Sequence, residues 1–191
     1  MALTALFGGT FDPVHNGHLA IAQEAVTRFD LDRVLFVPAA NPPHKLRGAA
    51  AGYEDRVRMT ELACAGHPRF EVSRIEAGTV RSYSIDTIER LHAAGVGPLA
   101  FLIGADAFAE IGTWHRWRDV IAAVEFLVVT RPGAAYHVPE GARVLSLEGL
   151  ELSISSSEIR ARIAQGDFDV PVPRSVIRYI RERGLYQSHT S

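Results

Sequence analysis

The sequence predicts an α/β fold: a doubly wound, mainly parallel sheet in one domain over residues 1–191, ending in C-terminal helices at about 155–185. Three observations carry this expectation. Short apolar runs recur at residues 3–7, 34–37, 70–73, 99–103, 126–130 and 144–147, each the length of a buried strand. Segments with helical spacing of apolar residues separate most of them, the alternation that builds a parallel sheet through right-handed crossovers. The first run ends on Gly8-Gly9 and leads through a short turn into a helical stretch. At such a junction an α/β protein presents backbone N–H groups and a positive helix end to an anion.

Taken in order, the helical stretch at residues 16–29 places Leu19, Ala22, Val26 and Phe29 on one face. Residues 53–65 and 84–94 show the same spacing. Loops carry the proline and glycine, at residues 38–48, 78–82 and 131–141. Residues 155–184 read as two helices split at 167–173. Ligands of open α/β sheets bind beyond the carboxyl ends of the strands. The segments expected there are 8–18, 38–45, 104–106 and 131–133, and all four carry polar or glycine-rich chemistry.

Composition narrows the function classes. The 191 residues carry 47% apolar side chains and a net charge of −2, enough for a packed core and too little positive charge for a nucleic-acid or anionic-membrane partner. Anion binding must therefore be local. Cys64 is the only cysteine, which excludes an intramolecular disulfide and a cysteine zinc cage; its helical neighbourhood reads as core. The apolar run at the N-terminus is too short for a signal peptide, and nothing has the length of a membrane span, so a cytoplasmic chain is expected.

The string Gly8-Gly9-Thr10-Phe11-Asp12-Pro13-Val14-His15-Asn16-Gly17-His18-Leu19 carries the chemistry. Gly8 and Gly9 allow close backbone approach to a phosphate, with positive φ where needed. Thr10 and Phe11 offer N–H donors. Asp12-Pro13 is a turn initiator whose carboxylate can bond its own downstream backbone. His15 and His18 sit within one turn of a helix start and can both donate to phosphate oxygens. A zinc site is disfavoured, because this H-x-x-H lacks a general-base glutamate and a third ligand. No metal ligand is expected from the protein. A second constellation is Ile154-Ser155-Ser156-Ser157-Glu158-Ile159-Arg160. It reads first as an N-cap with a capping-box glutamate, a common structural feature, and also as an anion clamp with Arg160 one turn in.

Together these segments resemble the nucleotidylyltransferase superfamily, with its T/H-x-G-H and late I-S-S-T/S-x-x-R elements, and within it the bacterial nicotinate-nucleotide adenylyltransferase family. The resemblance extends to Asn41-Pro42-Pro43-His44-Lys45, Ser82-Tyr83-Ser84-Ile85-Asp86-Thr87, Ile103-Gly104-Ala105-Asp106, Thr113-Trp114 and Arg131-Pro132-Gly133. Ser157 and Ser84 stand where threonine is common, and both keep the hydroxyl.

The resemblance implies a Rossmann-like fold. It also implies adenylyl transfer from ATP to nicotinate mononucleotide, with Mg²⁺ carried by the ATP, in a monomer or small homo-oligomer. It assigns His15, His18 and Arg160 to catalysis. ATP would meet Gly8, Gly9, Thr10 and Phe11 on the first loop. Ile154, Ser156, Ser157 and Arg160 would meet it on the late element, and Asp106 would bond a ribose hydroxyl. The mononucleotide would meet Asn41, His44 and Lys45 through its phosphate, Trp114 through its ring, and Ser84, Thr87 and His115 around its carboxylate. Phosphopantetheine adenylyl transfer is the nearest alternative, since it shares the serine-rich late element. A nucleotide-binding regulator without turnover would not need the complete His15, His18, Ser156 and Arg160 set.

Overall fold

The computed structural model describes residues 3–41, 49–130, 136–148 and 154–187. Among these residues six strands form one sheet: β1 (Thr4–Gly9), β2 (Arg33–Pro38), β3 (Phe70–Val72), β4 (Leu99–Gly104), β5 (Glu125–Thr130) and β6 (Arg143–Glu148). Their order is β3-β2-β1-β4-β5-β6, and every pair is parallel. The expected mainly parallel sheet is thus wholly parallel among the described residues. The four inner strands, β1, β2, β4 and β5, are covered on both faces and are near-continuous apolar runs rather than alternating ones.

Among the described residues seven α-helices flank the sheet: α1 (Asn16–Phe29), α2 (Tyr53–Cys64), α3 (Ser84–Ala93), α4 (Ala105–Ala109), α5 (Trp117–Ala123), α6 (Ser156–Ala164) and α7 (Arg174–Arg183). The two cores follow the strand period of two. On one face Ala5, Phe7, Val34, Phe36, Ala100 and Leu102 pack against α1, α2, α6 and α7. On the other, Leu6, Leu35, Phe101, Ile103, Phe126 and Val128 pack against α3, α4 and α5. Cys64 is buried at the end of α2, and burial pushes its thiol up to about 12. Helices α4 and α5 and the 3₁₀ turn Ile111–Thr113 were not expected from periodicity. They are five, seven and three residues long, too short to repeat an apolar face.

The order reverses between β1 and β4: the chain leaves β1 for β2 on one side and later returns to β4 on the other. A crevice opens at the carboxyl ends of two strands whose following segments depart in opposite directions, which is where α/β sheets bind ligands. The segments that follow β1, β2 and β4 carry residues 10–18, 39–41 and 105–106 to that edge. His44, Lys45 and the Arg131-Pro132-Gly133 segment lie outside the described residues. Among the described residues no helix is long and apolar enough to cross a membrane.

Candidate active site

Strand β1 runs further than the apolar pattern suggests, because Gly8 and Gly9 pair in register with Val37 and Pro38 of β2. The expectation of positive φ at these glycines is corrected: the left-handed residue is Phe11, at φ +49°. Glycine serves close approach instead. A Cβ at Gly9 would stand 3.0 Å from the Phe11 ring. Phe11 is buried and sets its ring edge against His18, centroids 5.0 Å apart. The N–H groups of Thr10 and Phe11 donate to nothing among the described residues.

His15 is the N-cap of α1, and His18 lies one turn in. Their rings stack with centroids 3.6 Å apart and planes at 25°. Gly17 permits this, since a Cβ there would meet Nδ1 of His15 at 3.0 Å. The backbone N–H of His15 donates to Nδ1 of His18 at 3.2 Å. An accepting Nδ1 carries no proton, so neutral His18 has its hydrogen on Nε2, as a donor. Nδ1 of His15 is buried without a hydrogen-bond partner among the described residues. Burial lowers His15 to about 4, and burial followed by the charge of His15 lowers His18 well below the usual histidine range. Both imidazoles are neutral at pH 7, which is what allows them to stack.

Helix α6 closes against this turn. Ser156 Oγ donates to the carbonyl of Pro13 at 3.1 Å, and Arg160 Nη1 donates to the carbonyl of Asp12 at 2.7 Å. The other arm of Arg160 donates to Ser157 Oγ at 3.2 Å. Ile154 packs beside Gly17, its Cβ 3.6 Å from where a side chain would begin. The expected capping box does not form: Ser155 is the N-cap but makes no side-chain cap bond. The first-turn N–H groups of α6 therefore have no side-chain acceptor on that account. His15, His18, Ile154, Ser156, Ser157 and Arg160 meet at one place, where two helix N-termini and a guanidinium converge. Asp106 is exposed in the first turn of α4, at the end of the neighbouring strand β4.

The residues expected on the acceptor side lie on the segments after β2 and β4 and at the start of α3. Trp114 is half-buried, edge-on to Phe101 at 5.8 Å, and Phe101 lies beneath Gly8, where an added Cβ would be 3.7 Å from it. His115 is exposed and lies 4.3 Å from the ring of Tyr83, the N-cap of α3. Ser84 opens that helix, which has no side-chain cap either. Asn41 is tied to the same segment: its N–H donates to Ser82 Oγ at 2.9 Å and its amide to the carbonyl of Thr79 at 3.0 Å. Thr87 departs from expectation. It is 4% exposed, and its hydroxyl donates to Glu76 Oε1 at 2.6 Å while its N–H donates to Tyr83. Both of its donors are spent inside the protein, so its place is to hold Glu76 rather than to donate to a ligand.

The cytidylyltransferase-like family model matches residues 6–162. A Solibacter usitatus protein named "Probable nicotinate-nucleotide adenylyltransferase" is 60% identical over 184 residues, 95% of this chain and 98% of the relative. The chain belongs to the nicotinate-nucleotide adenylyltransferase family. A relative of the same name from Frankia casuarinae is 46% identical, over 94% of this chain and 98% of its own. The fold matches that of Plasmodium falciparum nicotinic acid mononucleotide adenylyltransferase complexed with NaAD. Its TM-score is 0.80 at 16% identity, covering 97% of this chain and 98% of that one.

Near the family's motifs, Asp12 takes a role other than the one expected, and Arg56 and Glu76 escaped the sequence reading. Asp12 does not bond its own downstream backbone. Its carboxylate, 2% exposed, accepts the N–H groups of Ala50 (2.7 Å) and Ala51 (3.1 Å) and the hydroxyl of Tyr186 (2.7 Å). Arg56, 1% exposed, donates to the carbonyls of Thr10 (2.7 Å), Ala51 (3.2 Å) and Ala40 (3.5 Å). Glu76 accepts the N–H of Ala40 at 3.1 Å as well as Thr87. Arg56 had a signal: it falls on the helical stripe of Met59, Thr60 and Ala63, all buried. A charged residue on an apolar face needs partners, and here they are the carbonyls that shape the loops.

Proposed function

We infer that this chain joins nicotinate mononucleotide to the adenylyl group of ATP, making nicotinate adenine dinucleotide and releasing pyrophosphate. The observation that carries this reading is the stacked His15–His18 pair meeting Ser157 and Arg160 at two uncapped or histidine-capped helix N-termini. The phosphate of the mononucleotide attacks the α-phosphorus of ATP; a P–O bond forms there as the bond to the β-phosphate oxygen breaks. That phosphate is already ionised near neutral pH, so the step needs alignment and charge stabilisation rather than a strong base.

His18 Nε2–H and Arg160 supply donors where charge builds on the triphosphate, and the N–H groups of Thr10 and Phe11 bind it from β1. Asp106 bonds a ribose hydroxyl. On the acceptor side Trp114 stacks on the pyridine ring, and the open N-terminus of α3 at Ser84, beside His115, receives the carboxylate. Asn41, His44 and Lys45 hold the mononucleotide phosphate. This favours the acid over the amide, because an uncapped helix start attracts a carboxylate.

Mg²⁺ would arrive on the ATP phosphates, where it neutralises charge. Among the described residues no three His, Cys, Asp or Glu side chains cluster closely enough to hold an ion, a donor set that suits an ion held by phosphate and water. The whole chain works as one cytoplasmic nucleotidyltransferase domain, as a monomer or small homo-oligomer.

Pyrophosphate release tests the reading. The protein is incubated with Mg·ATP and, separately, nicotinate mononucleotide, nicotinamide mononucleotide or phosphopantetheine. Turnover should be fastest with the nicotinate form. Silence with both pyridine nucleotides overturns the function, and faster use of the amide overturns only the acid preference.

A further inference from the structure

We propose that Tyr186 is a positioning residue for Arg160, acting through the carboxylate of Asp12. This inference rests on the reading of Arg160 as a triphosphate-binding group. Helix α7 ends at Gly184 in the left-handed region, and the N–H of Leu185 returns to the carbonyl of Ile180 at 3.0 Å. That reversal, continued by Tyr186 at φ +62°, turns the phenol inward from the C-terminal segment. Its hydroxyl donates to Asp12 Oδ1 at 2.7 Å, across 174 residues of sequence.

Asp12 lies between this phenol and Arg160. With Tyr186 and the N–H groups of Ala50 and Ala51 bound, three of its lone-pair directions are filled by groups without formal charge. Arg160 meanwhile uses Nη1 on the main-chain carbonyl of Asp12, and the same atom stands 3.9 Å from the carboxylate Oδ2. The guanidinium is close enough to be attracted and too far to be captured in a bidentate pair. Its side chain keeps 25% exposure, so its charge remains available to an anion. Arg56, the other cation that feels Asp12, is engaged with backbone carbonyls. Burial and the neighbouring Asp12 push the Tyr186 phenol up, so it stays a donor throughout the working pH range.

Removing the hydroxyl leaves Oδ1 without its strongest partner, and the cation with a partly exposed side chain beside it is Arg160. Arg160 then pairs with Asp12, and the charge it would give to the triphosphate is neutralised at home. A role confined to packing would leave Arg160 out of the effect.

The test is a double-mutant cycle on the full chain with Tyr186→Phe and Arg160→Ala, reading KM for ATP, KM for the mononucleotide and kcat, with thermal unfolding as the folding check. Tyr186→Phe should raise KM for ATP about five- to tenfold and leave KM for the mononucleotide within about twofold. In the Arg160→Ala background it should change neither. The same loss in both backgrounds, an unchanged KM for ATP, or equal rises in both KM values would overturn the proposal. If Tyr186→Phe does not fold, Asp12→Asn is read instead: it removes the charge that would capture Arg160, so KM for ATP should stay within about twofold, and a five- to tenfold rise would overturn the proposal. Running the cycle on equilibrium binding of Mg·ATP separates the two readings. A chain without turnover loses the proposed reaction, while the binding cycle still decides the Tyr186–Arg160 coupling.

Discussion

The imidazole rings of His15 and His18 stack 3.6 Å apart, and the N–H of His15 fixes the tautomer of His18 by donating to its Nδ1. Burial thus sets the charge of the pair, and the His15 N–H sets the donor direction of His18. Neutral rings can share this space, whereas two imidazolium rings would repel at that distance.

Acid should therefore unfold the protein early. Both histidines have folded-state pKa values below the ordinary 6.5, His15 at about 4. Below pH 6.5 the unfolded chain binds protons that the folded one refuses, so their contribution is complete above 6.5 and is lost as pH falls toward 4. Urea midpoints measured from pH 7.5 to 4.5 should decline over that window. In a His15→Asn, His18→Asn double variant that decline should be shallower; an equally steep one would clear the pair of responsibility.

His18→Ala removes the Nε2–H donor. With the fold intact by circular dichroism, kcat should drop about 10²–10³-fold, the scale of one preorganised charge-stabilising donor. A near-normal kcat would take His18 out of the chemistry.

The apolar runs of β1, β2, β4 and β5 were legible because strands covered on both faces show no alternation to misread. The His15, His18, Ser156, Ser157 and Arg160 set was legible because each motif is local to one helix start. What joins the motifs was not. Asp12 finds its partners 38, 39 and 174 residues away, and no local pattern records such distances. Thr87 illustrates the opposite error: it sits within a motif, yet its side chain faces Glu76 because its helical position points to the core. Ser155 and Glu158 had the letters of a capping box without its bonds, since α6 lies against the Asp12-Pro13 turn.

Arg56→Met should lower stability by about 3 kcal/mol in urea denaturation, because it strips a buried cation from several carbonyls and from the field of Asp12. Arg56→Lys should lose about 1–2 kcal/mol, since an ammonium keeps the charge but not the planar fork. Equal stability of the lysine variant and the parent would show that the fork geometry is dispensable.

Trp114→Ala should raise KM for nicotinate mononucleotide about tenfold, near 1.4 kcal/mol, by removing a stacking face. KM for ATP should move less than about twofold, as Trp114 packs edge-on against Phe101 of β4. Steady-state titration of each substrate at saturating levels of the other reads both values, and a rise in the ATP value alone would move Trp114 to the wrong half of the site.

Cys64 gives this chain a built-in reporter. As the sole thiol, buried and held protonated by its surroundings, it is inert toward alkylating reagents until helix α2 comes away from the sheet. The labelling rate is then a clock for that opening. Because α2 also bears Arg56, which grips the loops after β1 and β2, any ligand that tightens those loops should slow the clock. Substrate engagement becomes readable as mass added per minute on a single atom, in the unmodified protein and without following catalysis.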